Sequence, residues 1–408
     1  MNRSLIEAAG RKKWRLRSFF GMTSEFAELL RTALTQMWVP INGGHPPSSV
    51  VGVDGSLVSL DLRNMLIYAV TSVAVGFRRV GNGYSESEPI ELADIDVVIG
   101  KEMESVTHLA REILEVKALR EAIIRQDPSL VLVDGSLLAI LMRPAPVLGR
   151  ASLREMAAQF RESTGIDPLE LVEQGLREEV GRDSILRQRP LLVIDSVNPH
   201  ALSEELIKPV LLFTYLEKLA ALRQALDEAW RRGATVAYVA KRGISSHFYD
   251  RYVRRLLKET IETPRARRLS DITFFDLADT PGYAVLPPQH GGGVHVEGAT
   301  EHAAEPPREL GLLDFYRGVN IAITYVKLSP TAPALRVEIP LRGGDPEEVV
   351  EDVVEAMLTL SPEGYPYPLT VADAHCRIRH EDLRRVLDFL GIGPRLTGRE
   401  GMGVWLKT

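Results

Sequence analysis

"VVGVDGSLVSL" (residues 50–60) and "LVLVDGSLLAI" (residues 130–140) are the two stretches on which the reading of this chain turns. Each is an apolar, largely β-branched run that reaches Asp-Gly-Ser, at Asp54 and again at Asp134. Short apolar runs bounded by turn residues predict strands buried on both faces. Asp-Gly is also ordinary turn chemistry, because Gly accepts positive φ and Asp hydrogen-bonds its own backbone. On that reading each strand ends at its Asp and the chain turns away. The repetition argues for something more, since a carboxylate beside a fully apolar strand is costly unless a cation compensates it. A divalent metal shared by two neighbouring strands would do so, because Mg²⁺ and Mn²⁺ are hard cations that prefer oxygen ligands.

Outward from these stretches, the patterning alternates between strand and helix. Residues 50–99 read as an antiparallel meander, "VVGVDGSLVSLDLRN", "MLIYAVTSVAVGFRRV" and "IELADIDVVIG". Residues 102–126 repeat Leu109, Ile113, Val116 and Ile123 at helical spacing and lead into the second Asp-Gly-Ser run. A helix feeding a β-branched strand predicts an α/β fold. Residues 3–38 also read as helical, 150–184 as a charged helical excursion, "PLLVIDS" (190–196) as a buried strand and 203–232 as a long amphipathic helix. "ATVAYVAKR" is a further strand with Lys241 and Arg242 at its end. A Gly/Pro/His-rich stretch follows at about 280–310, with no apolar periodicity to fix it; a mobile loop is the reading preferred over metal binding by His290, His295 and His302. Beyond it, "NIAITYVKL" and "ALRVEIPL" read as a strand pair, "DPEEVVEDVVEAMLTL" as a helix and "EDLRRVLDFLG" as a closing helix with its Gly cap. The expected organisation is an N-terminal helical segment (1–45) followed by one α/β domain (46–408) with a helical insertion at about 150–185.

Composition excludes several classes. With 408 residues, 45% of them hydrophobic, the chain can bury a proper core. A formal charge of −6 excludes bulk electrostatic nucleic-acid binding, so any polyanion must meet a local basic patch. Cys376 is the only cysteine, which excludes an internal disulfide and any cysteine-cluster zinc site and suits a reducing cytoplasm. The sequence lacks an apolar run of about 18 residues, so no membrane span is expected. No phosphate-loop sequence is present, and "HGGGVHVEG" lacks the Lys and following helix that such a loop needs. The expectation is a soluble cytoplasmic protein that does not bind ATP.

A metal site with phosphoryl-transfer chemistry needs further ligands. The helix between the two strands offers Glu104, Glu112, Glu115 and Glu121, for which surface solvation is the simplest reading. Glu115 is the best candidate among them, mid-helix between Leu114 and Val116. Late in the chain, "YPYPLTVADAH" places Asp373 and His375 in an apolar setting; Asp373 reads as a ligand or a helix N-cap, His375 as a ligand or a core histidine.

The order of these pieces resembles the NurA family of nucleases: an Asp-Gly-Ser strand, a glutamate helix, a second Asp-Gly-Ser strand, a strand ending in Lys-Arg, "SDITFFDL" and "YPYPLTVADAH". The likeness spans roughly residues 48–392. It implies an RNase H-like core with a central mixed β-sheet flanked by helices, a homodimer, and Mn²⁺-dependent cleavage of DNA, with Mg²⁺ as the alternative ion. It further implies a 5′ to 3′ exonuclease on DNA ends and a single-strand endonuclease, partnered with a hexameric HerA-type ATPase in end resection. Position by position, Asp54, Glu115 and Asp134 match the family acids, and either Asp373 or His375 the late ligand. Two metals about 3.5–4 Å apart would then activate water and stabilise the leaving oxygen. Lys241 reads as a clamp on the scissile phosphate and Arg242 on its neighbour. Tyr365 and Tyr367 read as base-stacking or as packing residues. The competing reading is a non-catalytic subunit whose acids form turns and whose surface docks on a motor. Trp14, Phe19 and Phe20 would pack on a second subunit, on the motor or on their own core.

Overall fold

The computed structural model describes residues 24–61, 65–99, 102–142, 152–179, 190–198, 206–243, 245–257, 269–302 and 309–392. Trp14, Phe19 and Phe20 lie outside them. The fold is mixed α/β, organised on one eleven-stranded sheet. Its strands are β1 (Trp38–Pro40), β2 (Ser49–Asp61), β3 (Met65–Val80), β4 (Gly83–Glu86), β5 (Ile90–Ile99), β6 (Leu130–Asp134), β7 (Thr235–Ala240), β8 (Gly282–Ala284), β9 (His295–Gly298), β10 (Asn320–Lys327) and β11 (Leu335–Leu341). The order is β1-β8-β10-β11-β7-β6-β2-β3-β4, with β5 also on β3 and β9 on β10. β6 runs parallel to both β2 and β7, and every other pairing is antiparallel.

Strand alternation sorts the side chains onto two faces. Val51, Val53, Val131 and Val133 face α2 (Met103–Gln126) and α6 (Ile207–Arg232), while Val50, Leu130, Leu132 and Val239 face α7 (Pro346–Thr359) and α8 (Tyr367–Cys376). Each such Val or Leu contributes about 1.5–3 kcal/mol on burial. Five further helices complete the named elements: α1 (Ser24–Thr35), α3 (Leu137–Leu141), the pair α4 (Leu153–Thr164) and α5 (Pro168–Glu179), and α9 (His380–Phe389).

The sequence reading holds for the 50–99 meander, for α2, β6, β7 and the β10–β11 pair, and for α7 and α9. The N-terminal helix is seen as Ser24–Thr35, and β1 begins at Trp38, inside the range read as helix. α6 is less amphipathic than expected. Most of it is buried, because the sheet layer, α2 and the α4–α5 pair surround it.

Three expectations are corrected. "PLLVIDS" is not a strand: it makes a tight turn and a short 3₁₀ segment, Ile194–Ser196. Its backbone donors are satisfied by a side chain, with Leu192 N and Val193 N giving to the Glu217 carboxylate at 2.9 and 3.0 Å. Lys117, fully buried on α2, completes the knot by donating to Pro190 O, Glu179 and Glu217 at 2.7, 2.8 and 2.9 Å. Burial alone would pull its pKa down, but Glu217 and Glu179 together raise it, so the ammonium stays charged.

The second correction concerns the Gly/Pro/His-rich stretch, which supplies β8 and β9 to the sheet. Antiparallel pairing of His295 to Ile323 and Val296 to Ala322 orders it where apolar periodicity could not. Third, β2 does not stop at Asp54. Because β3 is long enough to pair all thirteen residues from Ser49 to Asp61, the chain runs straight through Asp54-Gly55-Ser56.

Candidate active site

The carboxylates converge where β6 ends. β2 and β6 are paired from Val50–Leu130 to Val53–Val133, so the next residues, Asp54 and Asp134, stand side by side on the α7/α8 face. Beyond that point β6 stops and, among the described strands, β2 has only β3 beside it. Glu115 enters this notch from the opposite face. An added Cβ on Gly55 would lie 2.4 Å from Glu115 Oε1 and 2.6 Å from its Cγ. Gly55 is therefore a window in the sheet through which the α2 glutamate comes within electrostatic reach of the two aspartates.

α8 closes the site from above. It sits so tightly on β2 that a Cβ on Gly52 would fall 2.2 Å from the Pro368 carbonyl oxygen. The helix starts after Pro366 with Pro368 in its first turn, where a missing N–H costs nothing. Asp373 is thus in the body of a helix and is not an N-cap. It pairs with Arg377, and its charge contributes to the raised pKa of Asp54. His375, two residues on and about 200° round the helix, is exposed.

The electrostatics are those of a site short of positive charge. Burial, then the neighbouring Asp134, pushes Asp54 up to about 7, against hydrogen bonding from Gly55 N at 2.7 Å. Burial pushes Glu115 up to about 8; Arg111, 3.0 Å away, opposes this, and Glu112, Asp54 and Asp134 add to it. Glu115 Oε1 is buried with no hydrogen-bond donor in good geometry, the Arg111 contact notwithstanding. Asp134 accepts from Lys241 Nζ at 2.7 Å, and that ammonium also lies 4.4 Å above the Tyr365 ring. Burial and the surrounding Asp134, Asp54 and Asp373 charges raise the Tyr365 hydroxyl well above its ordinary range.

Several expected residues are placed differently. Glu112 is ion-paired with buried Lys218 at 2.8 Å and Glu121 with Arg125 at 3.1 Å, so of the four α2 acids only Glu104 is a solvated surface group. α2 is covered on both sides, by sheet and by α6, which leaves little water-facing surface. Tyr365 gives its ring face to Lys241. Tyr367 is instead exposed and packs edge-on against Phe77, opposite Val50, four residues or about 13 Å down the strand from Asp54. Arg242 is exposed beside Lys241.

Two residues were missed by sequence reading. Arg111 is four residues before Glu115, a spacing that signals a helical ion pair, and its own pKa is raised by Glu115, despite burial, and by Asp54 and Asp134. Glu338 on β11, fully buried, accepts from Ser136 Oγ at 2.9 Å and from Leu138 N at 2.9 Å, and pairs with Arg336 at 2.8 Å. It anchors the turn after Asp134, and no local motif marks it.

The donor set fits a divalent cation: all-oxygen, acidic, with one orphaned buried carboxylate oxygen and two carboxyls whose pKa values are pushed near neutrality. Lys241 and Arg111 hold part of that role in the chain alone.

The NurA domain model matches residues 48–378. The chain belongs to the NurA family. Among solved structures it is similar to the NurA nuclease from Sulfolobus solfataricus, at 16% identity over 96% of this chain and 97% of that one, with a TM-score of 0.61. NurA with manganese aligns at 16% identity over 98% and 100% of the two chains, TM-score 0.61. NurA bound to dAMP and manganese aligns at 16% over 98% of each, TM-score 0.58. These NurA structures share the central mixed sheet flanked by helices. No curated protein sequence matches the chain.

Proposed function

We propose that this NurA-family protein is a divalent-metal-dependent nuclease that cuts DNA phosphodiester bonds at the notch between β2 and β6. The observation that carries the reading is the pair of buried carboxyls, Asp54 and Glu115, raised to about 7 and about 8 beside Asp134 at the end of a parallel strand. Such a pair is prepared for a cation. Asp54, Glu115, Asp134 and Asp373 would hold Mn²⁺, or Mg²⁺; His375, about 200° round the helix from Asp373, would join them only if α8 itself moved. When bound, two such ions supply an activated water and charge stabilisation at the leaving oxygen.

The chain's own groups do the positioning. Lys241, fixed between Asp134 and the Tyr365 ring yet still 42% exposed, presents an ammonium to an incoming phosphate. Arg242 meets the adjacent phosphate, and exposed Tyr367 offers a face to an unpaired base. Arg111, paired with Glu115 at 3.0 Å, would release it where a bound cation supplied the positive charge instead. The finer reading rests on the family resemblance: 5′ to 3′ exonuclease on ends, endonuclease on single strands, a homodimer working with a HerA-type ATPase in end resection, in the cytoplasm. Among the described residues no helix is long and apolar enough to cross a membrane.

The test is digestion of 5′-labelled single-stranded and duplex DNA with Mn²⁺, Mg²⁺ or EDTA. The wild type is expected to cut with metal and not with EDTA, and Asp54→Ala to lose at least about 100-fold, since even outer-shell changes at metal sites cost 10–100-fold. Equal metal-dependent digestion by both proteins would remove Asp54 from the site, and no digestion by wild type on any substrate would favour the non-catalytic subunit.

A further inference from the structure

A second cluster of ligand atoms lies away from the carboxylates. β9 inverts the usual pattern: His295 and Glu297 are buried, at 7% and 8% exposure, while Val296 between them is 37% exposed. Burying an imidazole and a carboxylate in place of a valine is unfavourable unless the pair has a use. Residues i and i+2 of a strand share a face, so His295 Nε2 and Glu297 Oε1 meet at 2.7 Å. His247, at the start of the helical turn that follows the β7 connection, brings its Nε2 to 3.5 Å from the same Glu297 oxygen. Among the described residues this is the single group of three His, Cys, Asp or Glu side chains whose ligand atoms all lie within 4.8 Å of one another.

We infer that His247, His295 and Glu297 form a second divalent-metal site, of the zinc class and chemically distinct from the all-oxygen nuclease site. Two imidazoles and one carboxylate suit Zn²⁺, Co²⁺ or Ni²⁺ better than Mg²⁺. Bonds of about 2.0–2.1 Å in a tetrahedron put ligand atoms about 3.3 Å apart. The His247–Glu297 separation already matches this, and the His295–Glu297 pair opens by about half an ångström. The surroundings also fit. Tyr252 Oη is 3.4 Å from His295 Nδ1, where it would accept the ring N–H once Nε2 is given to an ion. Phe248 packs edge-on against the same ring, giving one side of the site an apolar wall. His247 is 57% exposed, so a fourth position faces water.

The position of His247 gives the site a consequence. Only five residues separate it from Lys241, so an ion here would tether to β9 the segment that follows Lys241 and Arg242. The site thereby couples zinc-class metal to the placement of the phosphate-binding cations.

The experiment is titration of the metal-free full chain with Co²⁺, read by visible absorption, followed by Zn²⁺. Four-coordinate nitrogen-bound Co²⁺ absorbs intensely, whereas six-coordinate oxygen-bound Co²⁺ is nearly colourless, so the nuclease site does not interfere. The expected result is one equivalent of the intense form, displaced by Zn²⁺, weakened at least tenfold by His247→Ala and by Glu297→Gln, and unchanged by Glu115→Gln. His247 is largely exposed, so its removal leaves the fold intact, and this variant decides the matter if Glu297→Gln is unstable. Absence of the band in wild type, or an undiminished band in His247→Ala, overturns the inference.

Discussion

The first Asp-Gly-Ser lies inside a strand, and the second closes one. At Asp54 the chain stays extended and paired to β3, and Gly55 is small because Glu115 must pass it. At Asp134 the strand ends, and Gly135 takes a φ of +122° with nothing within 4 Å of its missing Cβ. Ser56 Oγ accepts one bond, from Ile378 N at 3.3 Å, while Ser136 Oγ caps α3 and donates to Glu338. Identical letters thus serve opposite needs, room for a neighbour in one case and freedom of the backbone in the other. A short motif reports which atoms are available, and its surroundings decide which property of the glycine is used.

The two glycines separate the roles most sharply. Gly55→Ala is expected to displace Glu115 and weaken Mn²⁺ binding and DNA cleavage by about 10–100-fold, as for a disturbed metal ligand, measured by calorimetric titration and by digestion rate. Gly135→Ala is expected to act on stability instead, costing about 1–3 kcal/mol because no residue but glycine is at ease there, with a much smaller effect on metal affinity. Equal losses of affinity in the two variants would erase the distinction.

The pH response sharpens it next. The raised carboxyls are Asp54 of the first segment, at about 7, and Glu115, at about 8. Both keep protons in the fold at pH values where the unfolded chain, with ordinary carboxylate pKa values of about 4, has lost them. The metal-free protein therefore gains from these groups below about pH 4 and loses that gain as pH rises toward 8. A cation must displace the same protons, so Mn²⁺ affinity is expected to climb about tenfold per pH unit or more from pH 6 to 7 and to flatten above 8. Thermal melts with and without Mn²⁺ across that range would show the metal-induced gain widening with pH. A gain independent of pH would mean that neither carboxyl is a ligand.

The serines give the smallest contrast. Ser136→Ala is expected to cost about 1–2 kcal/mol, by losing an N-cap and leaving buried Glu338 short of a donor, against about 0.5 kcal/mol for Ser56→Ala. Urea midpoints at constant slope would resolve the pair.

Much of this architecture was legible from patterning, and the exceptions share a cause. Leu109, Ile113, Val116 and Ile123 marked α2, and the β-branched runs marked β6, β7 and the β10–β11 pair, because their partners only had to be apolar. "PLLVIDS" misled because the group that satisfies its backbone is Glu217, more than twenty residues away in sequence. β9 was hidden because its buried side chains are polar. In the candidate site, the adjacency of Asp54 and Asp134 was readable from two matching runs. Arg111 announced itself only through helical spacing to Glu115, and Glu338 not at all, since its partners Ser136 and Leu138 lie about two hundred residues earlier. Lone side chains that serve distant segments leave no periodic trace.

The close seat of α8 on Gly52 sets a schedule for the ribosome. The strand that carries Asp54 emerges among the first sixty residues, yet Tyr365, Pro368 and Asp373, which roof it, follow more than three hundred residues later. Contacts so far apart in the chain form slowly and last. A nascent chain therefore carries an unfinished, open cleft while more than three hundred further residues are made, and only then acquires the roof of its candidate active site.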